Sequence, residues 1–253
     1  MQHIKLERDG QLLILTLARG KANAINREVV EELSAAIAEA SADGTVRGLV
    51  LASDRPKFFS TGFDVAEVFQ YDRQAVTELI VRFVELIETW LRFPKPTVAA
   101  VGGHAYAGGA ALALACDFRV MAGGEFGFAL NAINLGIVLP PLLVRLVIDA
   151  VGAGYAREML LAGKSLTPEQ ALQVGLVSEV SPPEEVRARA IVRARGLAEK
   201  PAGAYRALKR VMCEVTSPAA PEGDPRALEE FLDQWFSPEA EQRKRELLES
   251  MRR

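Results

Sequence analysis

Residues Gly102–Asp117 read GGHAYAGGAALALACD and are the most informative segment of the chain. They follow the apolar run TVAAV, which predicts a buried strand, and their second half predicts a buried helix. Glycines at a strand-to-helix turn let the backbone approach a ligand closely, and the first N–H groups of the helix are free to bind it. Between Ala105 and Cys116 the strongest acids and bases are one tyrosine and one thiol. The segment therefore predicts a site whose chemistry lies in the backbone.

The elements around this segment predict an α/β protein. Strand and helix patterns alternate over residues 1–200, with Asp9-Gly10 as a hairpin turn and Asn26 as a helix N-cap. DFRVMA and EFGFAL predict short strands, and Pro140–Gly152 and Tyr155–Ala162 predict two separate helices. A second glycine loop, FFSTGFD at Phe58–Asp64, also leads into a helix.

Residues 201–253 form a predicted helical tail, interrupted by a linker, TSPAAPEGDP. Isolated helices could not bury the tail's apolar side chains, so we expect it to pack on the core or on another subunit. These side chains belong to Leu208, Val211, Met212, Leu228, Phe231, Trp235 and Phe236.

Composition excludes several classes of protein. The 253 residues carry a net charge of −3 and no basic stripe, so we expect no nucleic-acid partner. Two cysteines are too few for a disulfide framework, and the charged N-terminus does not resemble a signal peptide, so we expect a cytoplasmic protein. The uncharged run Pro96–Cys116 is long enough to span a membrane, but its glycines, His104 and Tyr106 favour a buried strand, loop and helix.

Known catalytic motifs are also missing from the sequence. There is no P-loop, no G-x-G-x-x-G after a strand, no G-x-S-x-G and no H-E-x-x-H. The two histidines, His3 and His104, have no neighbours at metal-ligand spacing, so we expect no metal site.

The two glycine loops remain as candidate binding elements. Facing each other, they would present two converging N–H groups, an oxyanion hole for a carbonyl that gains negative charge as it reacts. Close packing of strand and helix is the alternative reason for such glycines.

The two loops, with LARGKANAIN upstream and LNAINLGI and LLAGKSLTPEQALQVGLVSEV downstream, resemble the enoyl-CoA hydratase/isomerase (crotonase) superfamily. The resemblance covers nearly the whole chain, and VRGLVLASDRPKFFSTGFDV is most similar to the Δ3,Δ2-enoyl-CoA isomerase branch. It implies a crotonase-like spiral of ββα turns over residues 1–200 and a helical trimerisation region over 201–253. The substrate would be an acyl-CoA thioester, with coenzyme A as part of the substrate and no other cofactor, and the assembly a homotrimer or a dimer of trimers.

The resemblance also implies roles for individual residues. The oxyanion-hole donors would be the N–H groups of Thr61 and Gly108. Residues around the CoA moiety and along its channel would be Lys21, Ala22, Ala24, Ser60, Gly62 and Asp64. From the residues alone, Asp64 is better explained as a helix N-cap, and Lys21 could equally be a solvated surface lysine.

The positions at which this family carries its catalytic acids are vacant. The first hydratase position is Ala111, the main isomerase position is Ala132, and a further isomerase position is Pro140. None of these residues can carry a proton, so the usual hydration and isomerisation are in doubt.

Several side chains could substitute for the missing acids. His104 could act as a base or bind a backbone group, and Tyr106 could donate a hydrogen bond. Glu67 and Glu78 could reach the acyl pocket, although solvated helix faces are the simpler interpretation. Two amides, Asn131 and Asn134, could orient a water. An apolar acyl pocket, or simply core, would be formed by Phe63, Phe69, Phe126 and Phe128.

Two functions remain open. The first is an acyl-CoA isomerase- or hydratase-like enzyme with a displaced acid/base, or a decarboxylase or thioester hydrolase of the same family. The second is a catalytically deficient acyl-CoA-binding or assembly subunit that kept the fold.

Overall fold

A six-stranded sheet organises the chain in the computed structural model, which describes residues 1–216 and 225–251. The strand order is β1-β2-β3-β5-β7-β9, with β1 antiparallel to β2 and the others parallel. The strands are β1 Ile4–Asp9, β2 Leu12–Leu17, β3 Gly48–Ser53, β5 Thr97–Val101, β7 Phe118–Ala122 and β9 Glu179–Ser181. The predicted α/β core is therefore confirmed.

A second sheet of three parallel strands carries the two glycine loops. Its strands are β4 Phe58–Ser60, β6 His104–Tyr106 and β8 Phe128–Ala129, in the order β4-β6-β8. The loops predicted at β4 and β6 were wrong, and of the short strand predicted at EFGFAL only Phe128–Ala129 forms a strand. Strands of two or three residues are too short to show an alternating pattern.

Helices cover both faces of the main sheet. The buried faces of α1, α3 and α4 pack on one side, while alanines of α7 pack against Leu12, Val50 and Val98 on the other. The helices are α1 Arg27–Ala42, α2 Val65–Val68, α3 Arg73–Leu91, α4 Gly108–Ala115, α5 Pro141–Leu160, α6 Pro168–Gln173, α7 Val186–Ala198, α8 Ala202–Thr216, α9 Pro225–Trp235 and α10 Pro238–Ser250, with a 3₁₀ helix at Ala132–Leu135.

Two local predictions about the helices can be compared with this structure. Asn26 caps α1 as predicted, because its side chain accepts a hydrogen bond from the Val29 N–H. The two helices predicted around residues 140–162 form one element, α5, with a break at Gly152, where φ is 73° and ψ is 163°. Among the described residues, no helix combines the length and apolar composition that a membrane span needs.

The C-terminal helices attach to the core in different ways. Phe231, Leu232 and Trp235 of α9 are buried, and α10 contacts both α2 and the 3₁₀ helix. α8 instead leaves an apolar stripe exposed, formed by Leu208, Val211, Met212 and Val215. The predicted linker TSPAAPEGDP lies almost entirely outside the described residues.

A buried ion pair fixes α8 to the core. The Lys209 ammonium lies 2.8 Å from the Asp117 carboxylate, and the two side chains are only 9% and 17% exposed. The same carboxylate accepts hydrogen bonds from the Tyr205 hydroxyl at 3.0 Å and from the Thr97 N–H at 2.9 Å. Because Asp117 directly follows α4, this pair joins the tail to the helix that begins at Gly108.

The turn from β6 into α4 is strained. Ala107 has φ 47° and ψ −120°, a conformation that normally requires glycine. Its N–H donates to the Ala129 carbonyl at 2.8 Å, and its carbonyl accepts from the Ala111 N–H at 3.0 Å. These two hydrogen bonds hold the strained residue between β8 and the first turn of α4.

We predict that Lys209→Met lowers the free energy of unfolding by about 3 kcal/mol, because it leaves a buried carboxylate without its cation. The measurement is urea unfolding at a fixed protein concentration. Arg210→Met is the matched control, since it removes a neighbouring cation from an exposed pair with Glu214 and should cost less than about 1 kcal/mol. Equal effects of the two changes would contradict a role of the buried pair in anchoring α8.

We predict that Ala107→Gly stabilises the protein by about 1 kcal/mol. Relief of backbone strain, about 1–3 kcal/mol, exceeds the entropic cost of a new glycine, about 0.5–1 kcal/mol. Ala113→Gly, inside the same helix, should instead destabilise by at least about 1 kcal/mol. Urea midpoints of both variants provide the test, and a destabilised Ala107→Gly variant would show that this turn is not strained.

Candidate active site

The two glycine loops touch each other through their backbones. A Cβ atom placed on Gly62 would lie 2.8 Å from the Ala107 Cβ and 2.9 Å from the Gly108 nitrogen. A Cβ on Gly109 would lie 2.5 Å from both the Cβ and the carbonyl oxygen of Ser60. These distances are too short for any side chain, so only glycine permits this contact.

The Gly108 N–H is available to a ligand. It belongs to the first turn of α4, where N–H groups have no partner within the helix, and it has no acceptor among the described residues. The N-terminal end of the α4 dipole adds partial positive charge at this point.

The second free N–H belongs to Phe63 and not to Thr61. The Thr61 N–H donates to the Ala22 carbonyl at 3.2 Å, so the donor predicted there is already occupied. Gly62 and Asp64 bond to Ile25 on the other side, through the Ile25 N–H at 2.7 Å and the Ile25 carbonyl at 2.8 Å. Because alternate backbone groups of an extended segment point in opposite directions, the Phe63 N–H faces away from Ile25, and it has no acceptor in the described part of the chain.

Asn23 ties the upstream loop to these elements, a role that sequence analysis missed. It has φ 49°, and its buried amide donates to the Phe59 carbonyl at 3.1 Å and to Ser53 Oγ at 2.8 Å. The Ser60 hydroxyl donates to the Asn23 carbonyl at 2.7 Å and accepts from the Gly62 N–H at 3.2 Å. The available signal was residue type, since asparagine tolerates a left-handed conformation better than most residues.

The remaining predicted CoA residues lie on the same loop. Lys21 is exposed at a turn, and the Ala22 carbonyl accepts the Thr61 N–H. The Ala24 carbonyl accepts a hydrogen bond from Arg19 Nη1 at 3.0 Å. The loop therefore lies against the Phe58–Asp64 segment through backbone groups.

Two acidic residues at the start of α2 have structural partners. Asp64 caps α2, and its carboxylate pairs with Arg19 at 2.7 Å. The Glu67 carboxylate accepts from Arg19 and from Asn26, each at 3.1 Å, and from the Tyr71 hydroxyl. Burial and the Glu67 carboxylate raise the pKa of Tyr71 to about 12. Glu67 is therefore part of a hydrogen-bonded network and not a freely solvated side chain.

Glu78 lies apart from this network. Its carboxylate pairs with Arg27 at 2.7 Å, and both side chains are about two-fifths exposed. The simpler interpretation of Glu78, a solvated helix face, is consistent with this position.

His104 and Tyr106 face a separate aromatic cluster. His104 Nδ1 accepts the Gly127 N–H at 2.9 Å and lies 2.9 Å from the Tyr106 hydroxyl oxygen. Burial lowers the pKa of His104, and its ring lies 5.6 Å from the ring of Phe58 and 5.4 Å from that of Phe126. His104 Nδ1 is therefore occupied by a backbone N–H.

No acid occupies the three family positions. Ala111 is fully buried in α4 one turn beyond Gly108, and Pro140 precedes α5. Ala132 begins the 3₁₀ helix three residues after Ala129, whose carbonyl accepts the Ala107 N–H. The Ala132 segment thus runs beside the start of α4.

The two candidate amides differ in their surroundings. Asn131 precedes the 3₁₀ helix without capping it. Asn134 packs closely against Gly163, because a Cβ placed there would lie 2.4 Å from its side-chain oxygen. Asn134 therefore contacts a turn and not the glycine loops.

Aromatic side chains divide between two regions. Phe63 packs edge-on against Phe83 with ring centres 5.0 Å apart, and a Cβ on Gly108 would lie 3.4 Å from the Phe83 ring. Phe69 packs against Trp235 at 5.7 Å, while Phe128 is fully buried in the core. Phe63 is thus a wall of the candidate site.

Within residues 1–216 and 225–251, no group of three or more His, Cys, Asp or Glu side chains could hold a metal ion.

Comparisons with known proteins identify the family of this chain. Residues 7–246 match the family model for enoyl-CoA hydratase/isomerase. Enoyl-CoA delta isomerase 1, mitochondrial, from Rattus norvegicus is 30% identical over 195 residues, covering 75% of this chain and 66% of the rat protein. The 2,3-dehydroadipyl-CoA hydratase of Escherichia coli is 33% identical over 216 residues, covering 84% of this chain and 82% of that protein.

The fold is similar to that of a solved isomerase. Human mitochondrial delta3-delta2-enoyl-CoA isomerase superposes with a TM-score of 0.94 at 26% identity, covering 99% of this chain and 98% of the human chain. The crotonase-like fold with C-terminal helices is therefore confirmed. On these grounds the chain belongs to the enoyl-CoA hydratase/isomerase (crotonase) family and resembles its isomerase branch, as the sequence predicted.

Proposed function

We propose that this protein binds an acyl-CoA thioester and acts as an enoyl-CoA isomerase- or hydratase-like enzyme that stabilises the thioester enolate. One observation carries the proposal: the Gly108 and Phe63 N–H groups have no acceptor among the described residues, and their loops are in contact. Phe63 takes the role that sequence analysis gave to Thr61, while Gly108 keeps the role predicted for it.

The surroundings suit the stabilisation of negative charge. Donors that are already oriented need no reorganisation when charge develops, and they are stronger where water is excluded. The far end of α4 is also fixed, because the Arg119 guanidinium donates to the Cys116 carbonyl at 2.7 Å and to the Leu176 carbonyl at 2.5 Å. A cation at the C-terminal end of a helix offsets the negative end of its dipole and leaves the positive end at Gly108.

The upstream loop would bind the CoA moiety. Lys21, Ala22 and Ala24 match the family's CoA loop, while Ser60, Gly62 and Asp64 support it through the contacts described above. Coenzyme A would enter as part of the substrate, with no further cofactor.

The proton carrier is the part of the mechanism that departs from the family. Ala111, Ala132 and Pro140 cannot transfer a proton, and His104 Nδ1 is bonded to a backbone N–H. The Tyr106 hydroxyl lies 2.9 Å from the same nitrogen, and in our proposal this His104–Tyr106 pair, through His104 Nε2, is the candidate for a displaced acid/base.

The three vacant positions favour one alternative function, a subunit that binds acyl-CoA without chemistry. Decarboxylation or thioester hydrolysis would be further reactions that use the same oxyanion hole. Turnover of 2-enoyl-, 3-enoyl- and malonyl-type CoA esters separates these cases. Tight binding with no turnover of any ester would favour the binding subunit.

We also propose a homotrimer or a dimer of trimers, assembled through α8. Leu208, Val211 and Val215 recur at helical spacing and are 65%, 44% and 73% exposed, as expected of an unpaired subunit contact.

Cys116 and Cys213 are both free thiols, which supports a reducing location such as the cytoplasm.

The proposal predicts that acetoacetyl-CoA binds to the wild-type protein as its enolate, which is detected by near-ultraviolet absorbance. Gly62→Ala should lower the fraction of bound enolate about a hundredfold or more, because the added Cβ would displace the Gly108 N–H. Gly10→Ala is the matched control: Gly10 also has a positive φ, 59°, but a Cβ there would meet no atom within 4 Å. A wild-type protein that binds no CoA ester would overturn the proposed function.

We further predict that Ala132→Glu creates or raises isomerase activity on 3-enoyl-CoA esters. A positioned general base contributes about a hundred- to ten-thousandfold, and this position lies beside the start of α4. Ala132→Gln has nearly the same shape but no base, so it should remain at the wild-type rate. A folded glutamate variant that binds substrate but is no faster than the glutamine variant would show that residue 132 does not face the acyl chain.

A further inference from the structure

A lysine without an obvious structural reason is buried beside the candidate site. Lys244 of α10 is 2% exposed. Its ammonium pairs with Glu241, one turn earlier on the same helix, whose side chain is 39% exposed. It has no second oxygen acceptor in the described part of the chain. An ammonium carries three N–H groups, so two of them remain unused.

Aromatic rings surround this ammonium. Its nitrogen lies 5.2 Å from the centre of the Trp235 ring, 5.4 Å from that of Phe236 and 5.5 Å from that of Phe69. Ring faces stabilise a cation but accept no ordinary hydrogen bond. They also exclude water, which strengthens any charge interaction made there.

A second buried donor belongs to the Trp235 ring, over which the Lys244 ammonium lies. The Trp235 indole N–H is buried and has no hydrogen-bond partner among the described residues, and Trp235 itself is 4% exposed. An indole N–H can only donate, as can an ammonium. A buried orphan donor costs free energy unless a ligand satisfies it. Glu241 occupies one N–H of the ammonium, so the other two and the indole N–H can take a further acceptor, and an anionic acceptor suits the lysine.

Two segments connect this donor pair to the candidate site. Phe69 ends the short segment that starts at Phe63, and six residues of mainly helical chain place it on the order of 10 Å away. α10 also contacts the 3₁₀ helix, because a Cβ on Gly136 would lie 3.6 Å from the Ala240 nitrogen. The donors thus lie near the two segments that carry Phe63 and Ala132.

We propose that Lys244 and Trp235 bind a carboxylate at the far end of the acyl chain, so that the substrates are CoA monothioesters of dicarboxylic acids. This inference rests on the proposed function, because it names the acyl group that the same site would accept. The substrate carboxylate replaces Glu241 at the ammonium, and the half-exposed Glu241 side chain turns to solvent. The aromatic rings contact the methylene chain.

The test compares thioesters of equal length with and without the carboxylate. Dissociation constants of adipyl-CoA and hexanoyl-CoA, and of suberyl-CoA and octanoyl-CoA, are measured by calorimetry on the full chain. We expect the wild-type protein to prefer one dicarboxylic ester about tenfold or more over its matched ester. Lys244→Met should weaken the binding of that dicarboxylic ester about ten- to hundredfold and leave the binding of the matched ester, whose acyl chain has no carboxylate, unchanged.

Two further variants complete the test. Arg243→Met removes an exposed cation from the same helix and should alter neither ester. Trp235→Phe removes the indole N–H but keeps an aromatic ring, and it should weaken the dicarboxylic ester more than its matched ester. If Lys244→Met does not fold, the Trp235→Phe comparison decides. Equal wild-type affinities for matched esters would overturn the carboxylate site and leave the proposed function intact, whereas binding of neither kind of ester would overturn the proposed function itself.

Discussion

The site depends on one steric constraint, the contact of two backbones at Gly62 and Gly108. With no Cβ between them, the turns that follow the neighbouring strands β4 and β6 meet at van der Waals distance. The other local features support this contact. Asn23 and Ser60 fix one segment, the strained Ala107 turns the other into α4, and the ion pairs beyond α4 hold its far end. Backbone strain and a buried ion pair therefore lie at opposite ends of α4, whereas the contact itself involves almost no side chains.

The electrostatics of the site are correspondingly one-sided. It offers donors to negative charge at Gly108 and Phe63, and again at Lys244 and Trp235, while the family's acid positions hold alanine and proline. Arg19 pairs with the nearby carboxylates of Asp64 and Glu67 and offsets one of their two negative charges. In the proposed function, the site would hold an anionic species at two points and would move a proton only through groups on β6.

Sequence reasoning predicted those features that local patterns determine. Helix periodicity gave α1 and α3, capping chemistry gave Asn26 and Asp64, and motif order gave the family. It failed where distant residues decide the outcome. The Thr61 N–H is occupied because Thr61 lies against Ala22, a residue of a distant loop, whereas the Phe63 N–H is free because its neighbours Gly62 and Asp64 bond to Ile25. Strands of three residues, in turn, show no hydrophobic period. The sequence did not single out Lys244, because its aromatic neighbours are the residue that follows α2 and two residues at the end of α9.

The backbone origin of the anion-binding groups has an evolutionary consequence. A donor that belongs to the main chain does not depend on the side chain at its own position, since each residue type except proline supplies the same N–H, provided that the glycines of the two loops keep their contact. Residues at 111, 132 and 140 can therefore drift through acids, amides and alkyl groups without loss of the charge-stabilising element. A lineage with this architecture can lose one reaction, persist as a ligand binder and later acquire another reaction by a single substitution. The strained turn at Ala107 is the inherited feature that places the Gly108 N–H, and the side chains at residues 111, 132 and 140 can change around it.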